Sequence, residues 1–339
     1  MNSDIATFEL GDFTLESGVV LTGARLAYKT FGTLSPEKDN VVLYPTAFGG
    51  LLMHNEARIG EELALDPRRY FIVTVALIGN GESSSPSNTP APFDGPRFPE
   101  VTVADNVRAQ HRLVTERFAV DRLQLVIGFS MGALQAFEWA ARFPDKVARM
   151  AAICGAARCS RHNYVFLSSL PAALTADGAW NNGDCVATPM QGLKAFGRIF
   201  AGWALSQAFY RDRLDQSVLG FASLDDCLEQ FWDMFYQPKD PNDLLTMVRT
   251  WQRADISANE SYGGDFERAL GAIEAKALIM PGTTDLYFPV ADNEYEIAHM
   301  RDARCVPIPS VWGHIAGDGI SSQADADFTN RHIAALLDS

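Results

Sequence analysis

Short apolar runs of strand length recur along the chain at residues 41–44, 70–78, 123–129, 146–154, 275–280 and 303–307. Largely apolar runs of this kind predict strands buried on both faces, not the alternating pattern of a half-exposed sheet. Segments with helical spacing follow them, at 56–65, 103–118, from Gly132 to a stop at Phe143-Pro144, at 293–300 and at 325–337. The start of the chain differs. Residues 7–15 and 19–31 alternate apolar with polar and are split by Glu16-Ser17-Gly18, which predicts an antiparallel hairpin or meander. Strands alternating with helices predict an α/β fold, with a mostly parallel central sheet covered by helices on both faces.

That alternation is interrupted. Residues 160–260 contain no strand-like run but several helical stretches, at 161–175, 191–205, 206–214, 223–236 and 241–254. The pattern predicts a helical lid insertion within one α/β core made of residues 1–159 and 261–339. An insertion between two strands rests on the strand ends. Its aromatic residues, such as Phe196, Phe200, Trp203, Trp232 and Trp251, are expected to pack as core and to roof an apolar pocket.

The run at 123–129 leads into Gly128-Phe129-Ser130-Met131-Gly132 and then a helix rich in Ala, Leu and Phe. This is a G-x-S-x-G pentapeptide at a strand-to-helix junction, the sequence pattern of a nucleophile elbow. A serine in a strained turn needs flanking residues without side chains in the way. Its hydroxyl then stands clear of the sheet edge. The Met131 amide, at a helix N-terminus, can stabilise an oxyanion. A second amide is expected from Pro45-Thr46-Ala47-Phe48-Gly49-Gly50, just past the 41–44 strand, near Ala47 or Phe48.

A serine hydroxyl is a weak nucleophile and needs a base, which in turn needs an orienting acid. Four histidines follow Ser130: His162, His299, His314 and His332. His314 lies in a loop after the last strand, where a side chain can reach over the sheet's C-terminal edge. His299 and His332 lie in helical stretches, and His162 opens the insertion. Asp285 follows the strand at 275–280 and precedes Leu286-Tyr287-Phe288-Pro289, so it is the expected acid. The predicted chemistry is acyl transfer through an acyl-serine, with Ser130 as nucleophile, His314 as base and Asp285 as orienter. It calls for no metal and no cofactor, and there is no P-loop or dinucleotide fingerprint.

Composition narrows the partners. Of the 339 residues, 47% are hydrophobic and 21% charged, which suits a water-soluble globular protein. A net charge of -14 argues against nucleic acid or an anionic membrane as partner. The first residues lack a basic region followed by an apolar core, and no uninterrupted apolar stretch has membrane-span length. Five cysteines, an odd number without C-x-x-C spacing, are expected to be reduced thiols in a cytoplasmic protein.

With these residues in place the chain resembles the homoserine O-acetyltransferase-like α/β-hydrolases over nearly its whole length. The likeness is carried by Ala27-Tyr-Lys-Thr-Phe-Gly-Thr-Leu34, by Phe98-Pro-Glu-Val-Thr-Val-Ala-Asp-Asn-Val-Arg-Ala-Gln110 and by Gly128-Phe-Ser-Met-Gly-Ala-Leu-Gln-Ala-Phe-Glu-Trp-Ala140 with Phe143-Pro-Asp-Lys-Val147. Gly192-Leu193, Arg198, Asp285-Leu-Tyr-Phe-Pro289 and Gly313-His314 complete it. The resemblance implies the α/β-hydrolase fold, the triad Ser130, Asp285 and His314, and, with the aromatic insertion, a homodimer.

Departures from that family bear on the acyl acceptor. The resemblance implies an aspartate directly after the histidine, holding the substrate ammonium; here the position is Ile315. It implies an arginine, with a tyrosine seven residues later, gripping a carboxylate; Arg198 matches, but the tyrosine position is Leu205. Phe129 replaces the usual glycine before the serine, and the oxyanion loop reads Pro45-Thr-Ala-Phe-Gly49. Replacing an ammonium-binding carboxylate by isoleucine removes a contact worth roughly 1.5–3 kcal/mol. These departures resemble the plain ester hydrolases of the family. The expected substrate is therefore a small, mostly uncharged ester with a short acyl group, touched by Phe48, Phe129, Arg198 and Ile315. Acyl transfer from acyl-CoA to a hydroxyl acceptor is the alternative, kept open by Arg198.

Overall fold

The computed structural model describes residues 4–185 and 187–339. Eight strands form one sheet: β1 (Ala6–Thr14), β2 (Val20–Phe31), β3 (Val41–Pro45), β4 (Phe71–Val75), β5 (Leu125–Phe129), β6 (Arg149–Ile153), β7 (Lys276–Met280) and β8 (Ala303–Cys305). Their spatial order is β1-β2-β4-β3-β5-β6-β7-β8. The alternating segments make the antiparallel edge, β1 with β2 and β2 with β4. The apolar runs make the parallel remainder, from β4 through β8. Of these, β3, β4, β5, β6 and β7 are buried nearly throughout, as expected where helices cover both faces.

Some element bounds differ from the sequence expectation for local reasons. The helix expected at 56–65 is one short turn, Leu52–Asn55, followed by a 3-10 turn, Glu56–Arg58. The chain then loops round from Gly60, so that Ile59 forms a parallel bridge with Leu65 and the Gly60 amide donates to the Leu65 carbonyl at 3.2 Å. The last strand stops at Cys305, two residues before Pro307. A helix over Phe266–Ala272, capped by the Asp265 side chain, has no counterpart in the sequence reading. The loop after β4 does more than cover the sheet edge. Ser84 Oγ accepts from the Arg25 amide at 2.9 Å and Ser83 Oγ from the Ala27 amide at 3.0 Å, while Ser87 Oγ donates to Asp243 of the insertion at 2.6 Å.

Between β6 and β7 the described residues form helices and loops, with no strand beyond an isolated antiparallel bridge of Arg158 to Asp255. The insertion leaves and returns through a narrow neck. The Cys159 amide donates to the Ala254 carbonyl at 2.7 Å, and the Ile256 amide to the Ala157 carbonyl at 3.2 Å. Its buried side chains, among them Phe166, Phe196, Phe209 and Trp251, belong to the same hydrophobic core as the sheet. The insertion is thus packed onto the α/β body, over the C-terminal ends of the parallel strands.

Candidate active site

Ser130 joins β5 to the helix Met131–Arg142 with φ 56° and ψ -123°. A non-glycine residue with positive φ is uncommon and costs free energy, so the surrounding packing must hold it there. The flanking glycines permit the turn. A Cβ on Gly128 would fall 2.0 Å from Gly132 backbone atoms, and one on Gly132 would fall 2.9 Å from the Pro45 carbonyl oxygen. The second contact is also what lets the loop after β3 close on the nucleophile. The Ser130 amide donates to the Ile153 carbonyl at 2.9 Å, which ties the elbow to β6.

His314 lies in a short 3-10 turn, Gly313–Gly317, and reaches both partners expected from the sequence. Ser130 Oγ donates to His314 Nε2 at 2.9 Å, and His314 Nδ1 donates to Asp285 Oδ2 at 2.8 Å. The other carboxylate oxygen of Asp285 accepts from the Tyr287 and Phe288 amides at 2.7 and 3.3 Å. These bonds fix the carboxylate in the orientation that selects the Nδ1–H tautomer, leaving Nε2 free to take the serine proton. All three side chains are buried. The imidazole is held between rings: Phe129 stacks on it at 4.9 Å, and Tyr287 meets it edge-on at 4.7 Å.

The acid and base loops also brace each other. A Cβ on Gly282 would lie 2.7 Å from the Gly313 carbonyl oxygen, and Gly313 itself has φ +61°. Thr284 Oγ1 accepts from the Gly313 amide at 3.1 Å and donates to the Ser310 carbonyl at 2.8 Å. At the far end of the turn the buried guanidinium of Arg58 donates to the Gly317 carbonyl and, at 3.0 Å, to Thr329 Oγ1. Cys154 Sγ, Asp285 and His314 are the one group of potential metal ligands among the described residues, with donor atoms within 4.8 Å. Both imidazole nitrogens are already engaged with Ser130 and Asp285. Burial, with the Asp285 charge second, raises the Cys154 thiol well above its ordinary range.

The loop after β3 forms a tight turn, in which the Gly50 amide donates to the Ala47 carbonyl at 3.0 Å. A buried amide chain fixes it to the nucleophile helix. Trp139 Nε1 donates to Gln110 Oε1 at 2.8 Å, Gln110 Nε2 to Gln135 Oε1 at 2.6 Å, and Gln135 Nε2 to the Thr46 carbonyl at 3.1 Å. The sequence reading did not single out Gln110, Gln135, Arg58 or Thr284. The available signal was a polar residue inside an otherwise apolar element, most visibly Gln135 in the helix after Ser130.

Ser130 and His314 open into a cavity of about 310 Å³. Ala47, Phe48, Phe129 and Ile315 line it, as do Phe200, Trp232, Trp251 and Tyr287. Phe48 stacks on Phe200 of the insertion at 5.3 Å, so roof and floor meet through aromatic faces. His54 lies at the rim, and burial, then the Lys239 charge, hold its imidazole below the ordinary range.

Arg198 corrects the sequence expectation. It is not among the residues that line the cavity. Its Nε and Nη2 donate to Asp233 at 3.0 and 2.9 Å, and Asp233 is a buried carboxylate that needs these donors. The other three histidines also stand apart from the serine. His162 packs on Trp203, His299 faces Glu267 at 3.4 Å, and His332 packs on Phe328.

Comparison with known proteins agrees with this geometry. The family profile described as alpha/beta hydrolase fold matches residues 40–316. An ethyl acetate hydrolase from Pseudomonas veronii is 39% identical, over 97% of this chain and 94% of its own length. The crystal structure of the acetyl esterase MekB superposes with a TM-score of 0.96 at 38% identity, covering 99% of this chain and 97% of that one. A homoserine O-acetyltransferase from Trichormus variabilis is more distant, 30% identical over 90% of this chain and 87% of its own. An intact serine, histidine and aspartate relay on this frame, with those relatives, means that the chain belongs to the α/β-hydrolase family, as an esterase related to the homoserine O-acetyltransferases.

Proposed function

We propose that the protein hydrolyses small, uncharged esters with a short acyl group, above all acetyl esters, through an acyl-serine intermediate. The carrying observation is the hydrogen-bonded relay from Asp285 through His314 to Ser130, opening into a cavity walled by aromatic and aliphatic side chains. His314 takes the serine proton as Ser130 Oγ attacks the ester carbonyl. The Met131 amide, at the helix N-terminus, and an amide of the Ala47-Phe48 turn receive the oxyanion. The alcohol leaves with the proton from His314. Water, deprotonated by the same imidazole, then attacks the acyl-serine and releases the acid. Phe48, Phe129 and Ile315 contact the substrate. The acetyl preference is supported by the names of the similar hydrolases.

Transfer to an amino-acid alcohol has less to hold it. Ile315 occupies the position of the ammonium-binding carboxylate, and the Arg198 guanidinium is committed to Asp233. A panel of acetate, propionate and butyrate esters tests the reading. Wild type is expected to turn over the acetates fastest, and Ser130→Ala to turn over none. Equal inactivity of the two proteins across the panel would sink it. We further propose that the chain pairs as a homodimer through the apolar outer side of the insertion, where Tyr164 and Val165 are exposed. A monomer mass in light scattering would refute that. Among the described residues no helix is long and apolar enough to cross a membrane.

A further inference from the structure

Lys239 lies in the insertion, between its helices, yet its ammonium is spent on the floor of the site. Lys239 Nζ donates to the Gly49 carbonyl oxygen at 2.8 Å, across 190 positions of sequence. It also stands 4.3 Å from the centroid of the Phe235 ring. Among the described residues no carboxylate lies within ion-pair distance of it; Glu82 acts on it only from farther away. Withdrawing a lysine head from water without a carboxylate partner is unfavourable. An apolar residue would fill the same space at less cost, so the hydrogen bond to Gly49 is what distinguishes lysine here.

Gly49 is the pivot of the turn that presents the Ala47 and Phe48 amides. It has φ +64° and is followed by Gly50, so the pair is the least constrained backbone of the loop. The insertion grips Gly49 on both sides. Its carbonyl accepts from Lys239, and its amide donates to Met247 Sδ at 3.4 Å. Asn80 Nδ2 holds the next carbonyl, that of Gly50, at 3.1 Å. A preorganised donor is worth far more to an oxyanion than one that must first be oriented.

We propose that Lys239 is a positioning residue that holds the oxyanion turn in its donating orientation, so that the insertion contributes to the chemical step as well as to the shape of the pocket. This rests on the assignment of the Ala47-Phe48 turn as an oxyanion donor. Lys239→Met keeps the length of the side chain and removes the donor; Lys239→Leu is the second variant should the first fail to fold; Lys239→Arg restores a long cationic donor. Each is assayed on 4-nitrophenyl acetate and on its thionoester, in which sulfur replaces the carbonyl oxygen and accepts hydrogen bonds poorly.

In the Met and Leu variants kcat for the oxygen ester is expected to fall at least about tenfold, with KM within about twofold. The thionoester rate should fall much less, so the preference for oxygen over sulfur collapses, and Lys239→Arg should recover most of it. An unchanged kcat overturns the proposal. So does an equal fall for both esters, which would mark Lys239 as a packing residue only. If wild type itself fails to prefer the oxygen ester, the oxyanion assignment falls, and the role of Lys239 with it.

Discussion

The floor and the roof of the cavity are built on opposite principles. The floor is backbone geometry: Ser130, Asp285 and His314 stand on the ends of β5, β7 and β8 or in the loops that follow. They are held by glycines that no other residue could replace without collision and by hydrogen bonds to main-chain groups. The roof is side-chain bulk: Phe200, Trp232 and Trp251 make contact by size and ring stacking, with few polar commitments toward the pocket. Chemistry that needs atoms fixed within a fraction of an ångström sits on the rigid sheet. Apart from the Lys239 and Met247 contacts to Gly49, the insertion supplies shape, and with it selectivity.

Substitutions can break that contrast. On the floor, Ser130→Ala should cost roughly 10⁶ in kcat, and Asp285→Asn about 10⁴ through loss of the correct imidazole tautomer. Steady-state rates on an acetate ester check both. Arg58→Met should loosen the turn that carries His314 and lower kcat on the order of 10–100-fold with little change in KM. On the roof, Phe231→Ala, at a lining residue 37% exposed, should leave kcat for an acetate ester within about threefold. It should instead improve the relative kcat/KM of butyrate esters by about tenfold, since the two extra methylenes gain room. A roof change that abolished turnover on every ester would erase the distinction.

The smallest expected effect is on stability at the neck of the insertion. Glu296 accepts from the Ala157 amide at 2.7 Å, beside the start of the insertion, and burial pushes its carboxyl up to about 8 from the ordinary 4.5. The folded protein keeps a proton there that the unfolded chain gives up. The stabilisation is therefore complete below pH 4.5 and is lost as pH rises towards 8. Melting temperatures between pH 6 and pH 9 should fall by a few degrees more in wild type than in Glu296→Gln. Equal slopes would contradict the assignment.

The same contrast explains what the sequence made legible. The floor's parts are local in sequence or fixed by order: an apolar run into a G-x-S-x-G turn, an aspartate after one strand, a histidine after the next. The fold class and the triad could be read from those positions because strand burial and the elbow leave few alternatives. The roof was legible only as a helical, aromatic segment. Which of its aromatic side chains face the cavity depends on packing between elements far apart in the chain. Arg198 shows the limit. Its position suggested a substrate contact, but the buried Asp233, 35 residues later, takes its Nε and Nη2 donors. Gln135, Arg58 and Lys239 were illegible for the same reason, since each acts on main-chain groups remote in sequence.

In the proposed reaction Ser130 carries the acyl group and water receives it, since Ile315 lines the pocket where a carboxylate would be needed to hold an amino-acid acceptor. The direct measurement is product partition: 4-nitrophenyl acetate turned over with and without excess homoserine, with acetate and O-acetylhomoserine both quantified. Acetate equal to the alcohol released, no effect of homoserine, and no turnover by Ser130→Ala are expected. Accumulation of O-acetylhomoserine, or turnover that survives Ser130→Ala, would contradict the proposed reaction.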